Sequence, residues 1–276
     1  MENCFVSVIL RTLNQEDSIT QTIESILQQI TSFDFEIIIC DEGSTDGTVD
    51  TIKLYLRKYP EKIKLVSEED INPQGKYIAL CSGGDIWVDP NKLQTQFEVI
   101  EQHPEIDICV HATTTLSSEL RRPIGRKMPF RYNAVIDVER IIANGENFIA
   151  EGSVFYRASI NENMPEFRKE TPSLYSLVLH AALSGGILYI SDNMAQCLKN
   201  KGANDVEKVN KNIQMLQLFD EYTNKNYTAL ISGKKLECEF FALKLNKEFK
   251  TMKDKKYKPI YKKLSLIEKI KINFAK

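Results

Sequence analysis

Polar residues with binding chemistry gather in three short stretches of this sequence, each directly behind an apolar run. Arg11-Thr12-Leu13-Asn14 follows Phe5 to Leu10, Asp41-Glu42-Gly43-Ser44 follows Phe35 to Cys40, and Ser82-Gly83-Gly84-Asp85-Ile86-Trp87 follows a run that closes at Cys81. Ionised carboxylates only accept hydrogen bonds, so Asp41, Glu42 and Asp85 suit a ligand that presents N–H or O–H groups; the Arg11 guanidinium suits a phosphate. In open α/β sheets ligands sit beyond the carboxyl ends of the strands. If the apolar runs are strands, all three stretches lie along one binding edge.

The runs do read as strands. Phe5 to Leu10 and Phe35 to Cys40 are apolar on nearly consecutive positions, as expected of parallel strands covered on both faces. Lys62 to Val66 and Lys76 to Cys81 supply a third and a fourth strand. Ser18-Ile-Thr-Gln21 reads as a capping box, and Ile19, Ile23, Ile26, Leu27 and Ile30 recur behind it at helical spacing. The polar turn Asp41 to Thr48 opens a second helix through Tyr59, and Pro90 sits in the first turn of a third that reaches about His103. Strands alternating with helices at this spacing give βαβ units and a parallel sheet with right-handed crossovers. Ile106 to His111 resumes extended structure. Past residue 115, a basic passage (Arg121, Arg122, Pro123, Arg126, Lys127) precedes a helix near 136–143, a strand near 152–157 and a helix near 173–184. The predicted organisation is a ligand-binding half over 1–115, a second half of the same domain over 116–205, and a lysine-rich helical extension over 206–276.

With 276 residues, 42% hydrophobic, the chain can bury a sizeable core. A net charge of −2 gives no global reason to expect nucleic acid. The six cysteines lie far apart with no CxxC pair, which argues against a zinc site or a disulfide framework and points to a reducing, cytoplasmic setting. The opening MENCFVSVILRTLN, acidic at its start and interrupted by Arg11, reads as neither signal peptide nor membrane span. His103, His111 and His180 have no ligand-spaced partners and read as core or surface residues.

Taken together, VSVILRTLN, CDEGSTDGT and GKYIALCSGGDIWVDPNKL resemble family 2 glycosyltransferases, over roughly residues 4 to 111 and more loosely to about 200. The resemblance implies the GT-A fold: α/β, Rossmann-like, a mostly parallel central sheet with helices on both faces, here with a helical C-terminal region. It also implies a donor of the UDP- or GDP-sugar type, a glycan or lipid-linked acceptor, and inverting transfer into a surface polysaccharide or glycolipid. On this basis the acidic pair closing the second strand holds the nucleobase, with Glu42 at the base-contacting position and Asp41 beside it serving the turn or the ribose, and Arg11, Thr12, Asn14, Gly83, Gly84 and Asp85 complete the nucleotide site. A divalent cation, Mg²⁺ or Mn²⁺, would bridge the donor diphosphate with Asp85 as its ligand. Two plainer readings stay open: Asp41 to Thr48 as an Asx-type turn and helix cap, and Asn14 as a residue that fixes a turn.

The sequence departs from the family pattern in several places. Ser82 and Gly84 stand where acidic residues are usual, which leaves Asp85 alone. Strands three and four are joined only by Ser67 to Gly75. Nine extended residues reach about 30 Å, against about 14 Å across three strands and about 17 Å back along one, so the link must run nearly straight. The carboxylate expected to take the acceptor's proton matches best to Glu170, in Glu170-Thr171-Pro172-Ser173-Leu174, although the alignment falls nearer Ser173 or Leu174. Gln196-Cys197-Leu198-Lys199 replaces a usual Tyr-Arg-x-His. From Lys244 to Lys276 there are twelve lysines against three acids, a tail that suits an anionic membrane face, a solvated helix or a docked one. Two readings follow: an active enzyme, peripheral at the inner face of the membrane, or an inactive GT-A domain that binds a partner glycosyltransferase, a glycan or a nucleotide.

Overall fold

In the computed structural model, which describes residues 6–117, 121–198, 206–265, 268, 269 and 272, the strand-and-helix alternation begins at once. The elements are β1 (Val6–Thr12), α1 (Ile19–Leu27), β2 (Phe35–Asp41), α2 (Thr48–Lys58), β3 (Ile63–Val66), β4 (Tyr77–Ser82), β5 (Ile86–Trp87), α3 (Lys92–Glu101), β6 (Ile108–Leu116), β7 (Pro123–Lys127) and β8 (Ala134–Ile136). There follow α4 (Val138–Asn144), β9 (Phe155–Arg157), α5 (Glu166–Glu170), α6 (Leu174–Ala182), β10 (Ile187–Leu198), α7 (Val206–Tyr222), α8 (Thr228–Leu245) and α9 (Lys258–Lys263). Cys4 and Lys199 lie outside the described residues. The helix expected from Pro90 begins at Lys92, and the capping box does not form: the Ser18 hydroxyl turns back and donates to Gln15 Oε1 at 2.7 Å.

One sheet runs in the order β3-β2-β1-β4-β9-β6-β10-β5, with β7 on β6 and β8 on β10. The first four strands are mutually parallel, as the largely apolar runs of β1, β2 and β4 predict, because both faces of such a strand are covered. β9 then enters antiparallel between β4 and β6, while β6 and β10 are parallel to each other. The isoleucines of α1 (Ile19, Ile23, Ile26), Ile52 of α2 and Leu93 and Ile100 of α3 are fully buried in the same core as the sheet residues. β9 is held by more than its ladder: Arg157 donates to Tyr77 Oη (2.6 Å), to Glu101 (2.9 Å) and to the Ile100 carbonyl (2.8 Å).

The short link from β3 to β4 is not straight, since it carries a 3₁₀ turn at Glu68–Asp70. What secures it is Glu36, a carboxylate inside the apolar run of β2. Glu36 accepts from Ser7 Oγ (2.7 Å), Lys64 Nζ (2.8 Å) and the Gln74 amide (3.0 Å), and Ser7 Oγ accepts from the Gly75 amide (2.9 Å). Burial opposes the Glu36 charge, yet these donors hold its pKa below the ordinary value.

The chain divides into two compact units. The first comprises Met1–Val138, Asn147–Met164 and Val178–Lys199 and holds the whole sheet; the second comprises Glu139–Glu146, Pro165–Leu177 and Asn200–Lys276. In the second, α7 turns into α8 through Asn224 and Lys225, both at positive φ, and the Phe167 ring meets Phe219 edge-on at 5.3 Å. Among the described residues no helix is long and apolar enough to cross a membrane.

Candidate functional site

The strand registers bring the three polar stretches together. Thr12 is paired with Asp41 across β1 and β2, and Arg11 with Ser82 across β1 and β4, so all three turns leave the same edge side by side. Arg11, Thr12, Asn14, Asp41, Glu42, Gly83, Gly84 and Asp85 therefore share one region of the first unit. Glu170 belongs to the second unit, where it closes α5 as an exposed residue.

The turns after β1 and β2 are joined by a ladder of hydrogen bonds. The Glu42 amide donates to the Thr12 carbonyl (2.9 Å), the Asn14 amide to Ser44 Oγ (2.9 Å), the Thr45 amide to Asn14 Oδ1 (2.8 Å), the Gln15 amide to Thr48 Oγ1 (2.8 Å), and the Gly47 amide to Glu16 Oε2 (3.0 Å). Asn14 sits at φ 51°, a left-handed conformation that asparagine tolerates better than most residues. Asp41 spends its carboxylate within its own turn, on the Gly43 and Ser44 amides (3.2 and 2.9 Å). Asp46 does the same at the mouth of α2, accepting from the Thr48 amide at 3.0 Å, and hydrogen bonding from Thr48 lowers its pKa. The turn-and-cap reading thus describes Asp41, while Glu42 is left over. Its side chain is 43% exposed, and its nearest cation is Arg11 Nη1 at 3.7 Å, which itself holds Glu68 at 2.8 Å.

The end of β4 is built the other way, with its polar groups drawn inward. The Gly83 amide donates to the Arg11 carbonyl (2.6 Å), and a Cβ on Gly83 would lie 2.4 Å from Thr12 Oγ1, a buried hydroxyl with no hydrogen-bond partner among the described residues. Gly84, at φ 104°, donates to Thr22 Oγ1 (2.9 Å), and a Cβ there would lie 2.5 Å from Leu198 Cδ1. Asp85 is only 4% exposed; one oxygen accepts from the Leu198 amide (3.1 Å) and the other faces Gly152, whose Cβ would lie 2.5 Å away. Burial pushes the Asp85 carboxyl up to about 7. Beneath it Lys92 is wholly buried, its ammonium 3.9 Å from the centre of the Trp87 ring and 2.8 Å from Gln96 Oε1, and burial brings its pKa down to about 8.

One carboxylate at this edge escaped the sequence reading. β9 pairs with β4 so that Ala79 meets Phe155, and continuing that register carries the turn at Glu151–Ser153 to the end of β4. There Ser82 Oγ donates to Glu151 Oε2 at 2.9 Å, and Glu151 remains partly exposed. The only local signal would have been its place just ahead of the expected strand near 152–157.

A cation at Asp85 would have to reach a carboxylate that is turned inward. A hard cation needs reachable oxygens, whereas both Asp85 oxygens face protein and the residue is nearly sealed from solvent. Among the described residues no three His, Cys, Asp or Glu side chains come together to hold a metal. Asp85 as placed among the described residues does not fit the implied cation.

Known proteins are similar to this chain in sequence and in fold. The sequence profile of glycosyl transferase family 2 matches residues 7–164. An uncharacterized protein of Mycobacterium tuberculosis is 28% identical over 203 residues, 69% of this chain and 57% of its own length. The Escherichia coli protein WfgD, named a UDP-Glc:alpha-D-GlcNAc-diphosphoundecaprenol beta-1,3-glucosyltransferase, is 30% identical over 112 residues, 36% of this chain and 42% of its own. The match therefore covers only about half the length of these relatives, 57% of the first and 42% of the second. S. aureus TarS 1-349, solved in complex with UDP, superposes with a TM-score of 0.57 at 17% identity over 96% of this chain and 76% of that one, and so shares its fold. With the profile extending over more than half of its residues, the chain belongs to glycosyl transferase family 2.

Proposed function

We propose that this protein binds a nucleotide-diphosphate sugar of the UDP or GDP type at the β1–β2–β4 edge and transfers the sugar, with inversion, to a glycan or lipid-linked acceptor of a surface polysaccharide or glycolipid. The observation that carries the reading is the exposed Glu42 carboxylate, free of its own turn and set on a hydrogen-bonded ladder. An acceptor-only group held in that way matches the N–H edge of a nucleobase. Arg11 lies next to it, half exposed, with a guanidinium that can leave Glu68 for a phosphate. Direct displacement requires a carboxylate to take the acceptor hydroxyl's proton; Glu170 is assigned that part, and Glu151 is the second candidate because it already stands at the β4 end.

An inactive nucleotide- or partner-binding domain is the second reading, favoured by the inward Asp85. Calorimetric titration with UDP and GDP, each with and without manganese, tests both. Binding that is unchanged by manganese supports the edge as described. Absence of binding at millimolar nucleotide overturns the donor reading and leaves the partner-binding one. If binding is found, turnover separates the two carboxylates: the base variant, Glu170→Gln or Glu151→Gln, loses turnover while keeping nucleotide affinity.

A further inference from the structure

Charge is divided sharply along the chain. Residues 244–276 hold twelve lysines against three acids, which is +9, so with −2 overall the preceding residues carry −11. Such asymmetry marks a segment that meets a polyanionic partner.

The structure shows which of these lysines are available. Lys244, Lys256 and Lys263 are paired, with Glu268 (3.0 Å), Glu239 (3.1 Å) and Glu237 (4.0 Å). Lys247, Lys250, Lys253, Lys255, Lys258 and Lys262 are exposed and meet no carboxylate among the described residues. Their spacing groups them. Lys247, Lys250 and Lys253 recur every third residue, with Lys250 entering and Lys253 closing the 3₁₀ turn Thr251–Lys253; Lys258 and Lys262 stand one turn apart on α9. The apolar residues between them are already used, since Met252 and Tyr257 are buried with Phe240 and Ile272 in a small core that Phe249, Ile260, Tyr261 and Leu264 flank. The described part of the segment is therefore anchored, with its charges outside and its apolar side chains packed inward.

The kind of anion follows from what the patch lacks. Residues 206–276 contain no arginine, the side chain suited to bidentate recognition of individual phosphates in nucleic acids or phosphopeptides. Lysines alone are mobile point charges that suit a diffuse anionic sheet, each contributing about 1 kcal/mol near a leaflet rich in anionic lipid. We propose that the lysine surface of residues 247–262 docks this protein on bilayers that carry anionic phospholipid. The inference does not depend on the donor site.

The test is co-sedimentation of the full chain with vesicles of phosphatidylcholine, with and without phosphatidylglycerol, at low and high salt, and with a charge-matched single-stranded oligonucleotide in parallel. The expected result is partition onto the phosphatidylglycerol vesicles only, abolished by high salt. In the variant Lys250→Glu, Lys253→Glu, Lys255→Glu, Lys258→Glu partition should fall by roughly 100-fold or more, from the contribution of each lysine. The same four changed to Gln, checked by circular dichroism, guard against loss of folding and should also weaken binding. Equal binding to neutral vesicles, no binding to either, undiminished binding by the folded variants, or binding to the oligonucleotide alone would each overturn the proposal. Nucleotide titration of the variants should match that of the parent, which keeps this outcome separate from the donor-site reading.

Discussion

The β1–β2 side and the β4 side of the site start from neighbouring strand ends and dispose of their carboxylates in opposite ways. On the first side Asp41 and Asp46 are absorbed by their own turns, which leaves Glu42 facing solvent on a fixed support. On the second side Asp85 is folded under the turn against Gly152 and the Leu198 amide. The difference teaches that an acidic residue at a strand end need not be a ligand: what decides its part is whether the local amides or a distant strand claim it first.

The largest expected effect comes from pH. Asp85, raised to about 7 by burial, stabilises the fold fully below its unfolded value and loses that contribution as pH rises toward 7. His111, lowered to about 3 chiefly by burial, does the reverse: its contribution is complete above 6.5 and is lost as pH falls. Each amounts to something on the order of 4 kcal/mol, and between about pH 4 and 6.5 they oppose each other. Asp85→Asn should unmask a fall in stability on acidification over that range, and His111→Gln a fall on alkalinisation. Denaturant unfolding across the range checks both, and parallel profiles for the two variants would contradict the burial of these groups.

Next in size is the attempt to make the β4 side look like its relatives. Gly84→Asp meets Leu198 and a left-handed backbone, and should destabilise by about 3 kcal/mol in thermal unfolding. Asn14→Ala removes the Thr45 bond and leaves alanine at positive φ, for about 2 kcal/mol; Asn14→Gly, which relieves the backbone, should recover roughly half. The smallest effect on stability belongs to the residue assigned the largest part in binding. Glu42→Gln should shift unfolding by under ~0.5 kcal/mol, while calorimetry shows UDP or GDP affinity reduced about tenfold. If affinity is untouched, the two sides of the site do not differ in the way described.

The parallel half of the sheet was legible because its strands are largely apolar runs and α1 carries isoleucine at helical spacing, which are local patterns. The motifs at the strand ends were legible for the same reason. Asp85 was not, because the amide that claims it lies 113 residues away. Glu151 was hidden behind a strand of three residues, too short to announce its neighbours. Glu36 read simply as one position of an apolar run, although it pins the return of the link that the sequence left needing a straight path.

That three-residue strand also sets an order of events. The parallel quartet β3-β2-β1-β4 can assemble once Ser82 has left the ribosome, but the open side of β4 waits for Phe155–Arg157, with Arg157 eighty positions beyond Tyr77. Until then the nascent protein carries a bare strand edge, ready to add a strand from a neighbouring chain. A fragment ending at residue 115 would keep that edge permanently, and its fate in the test tube should be aggregation rather than a small folded half.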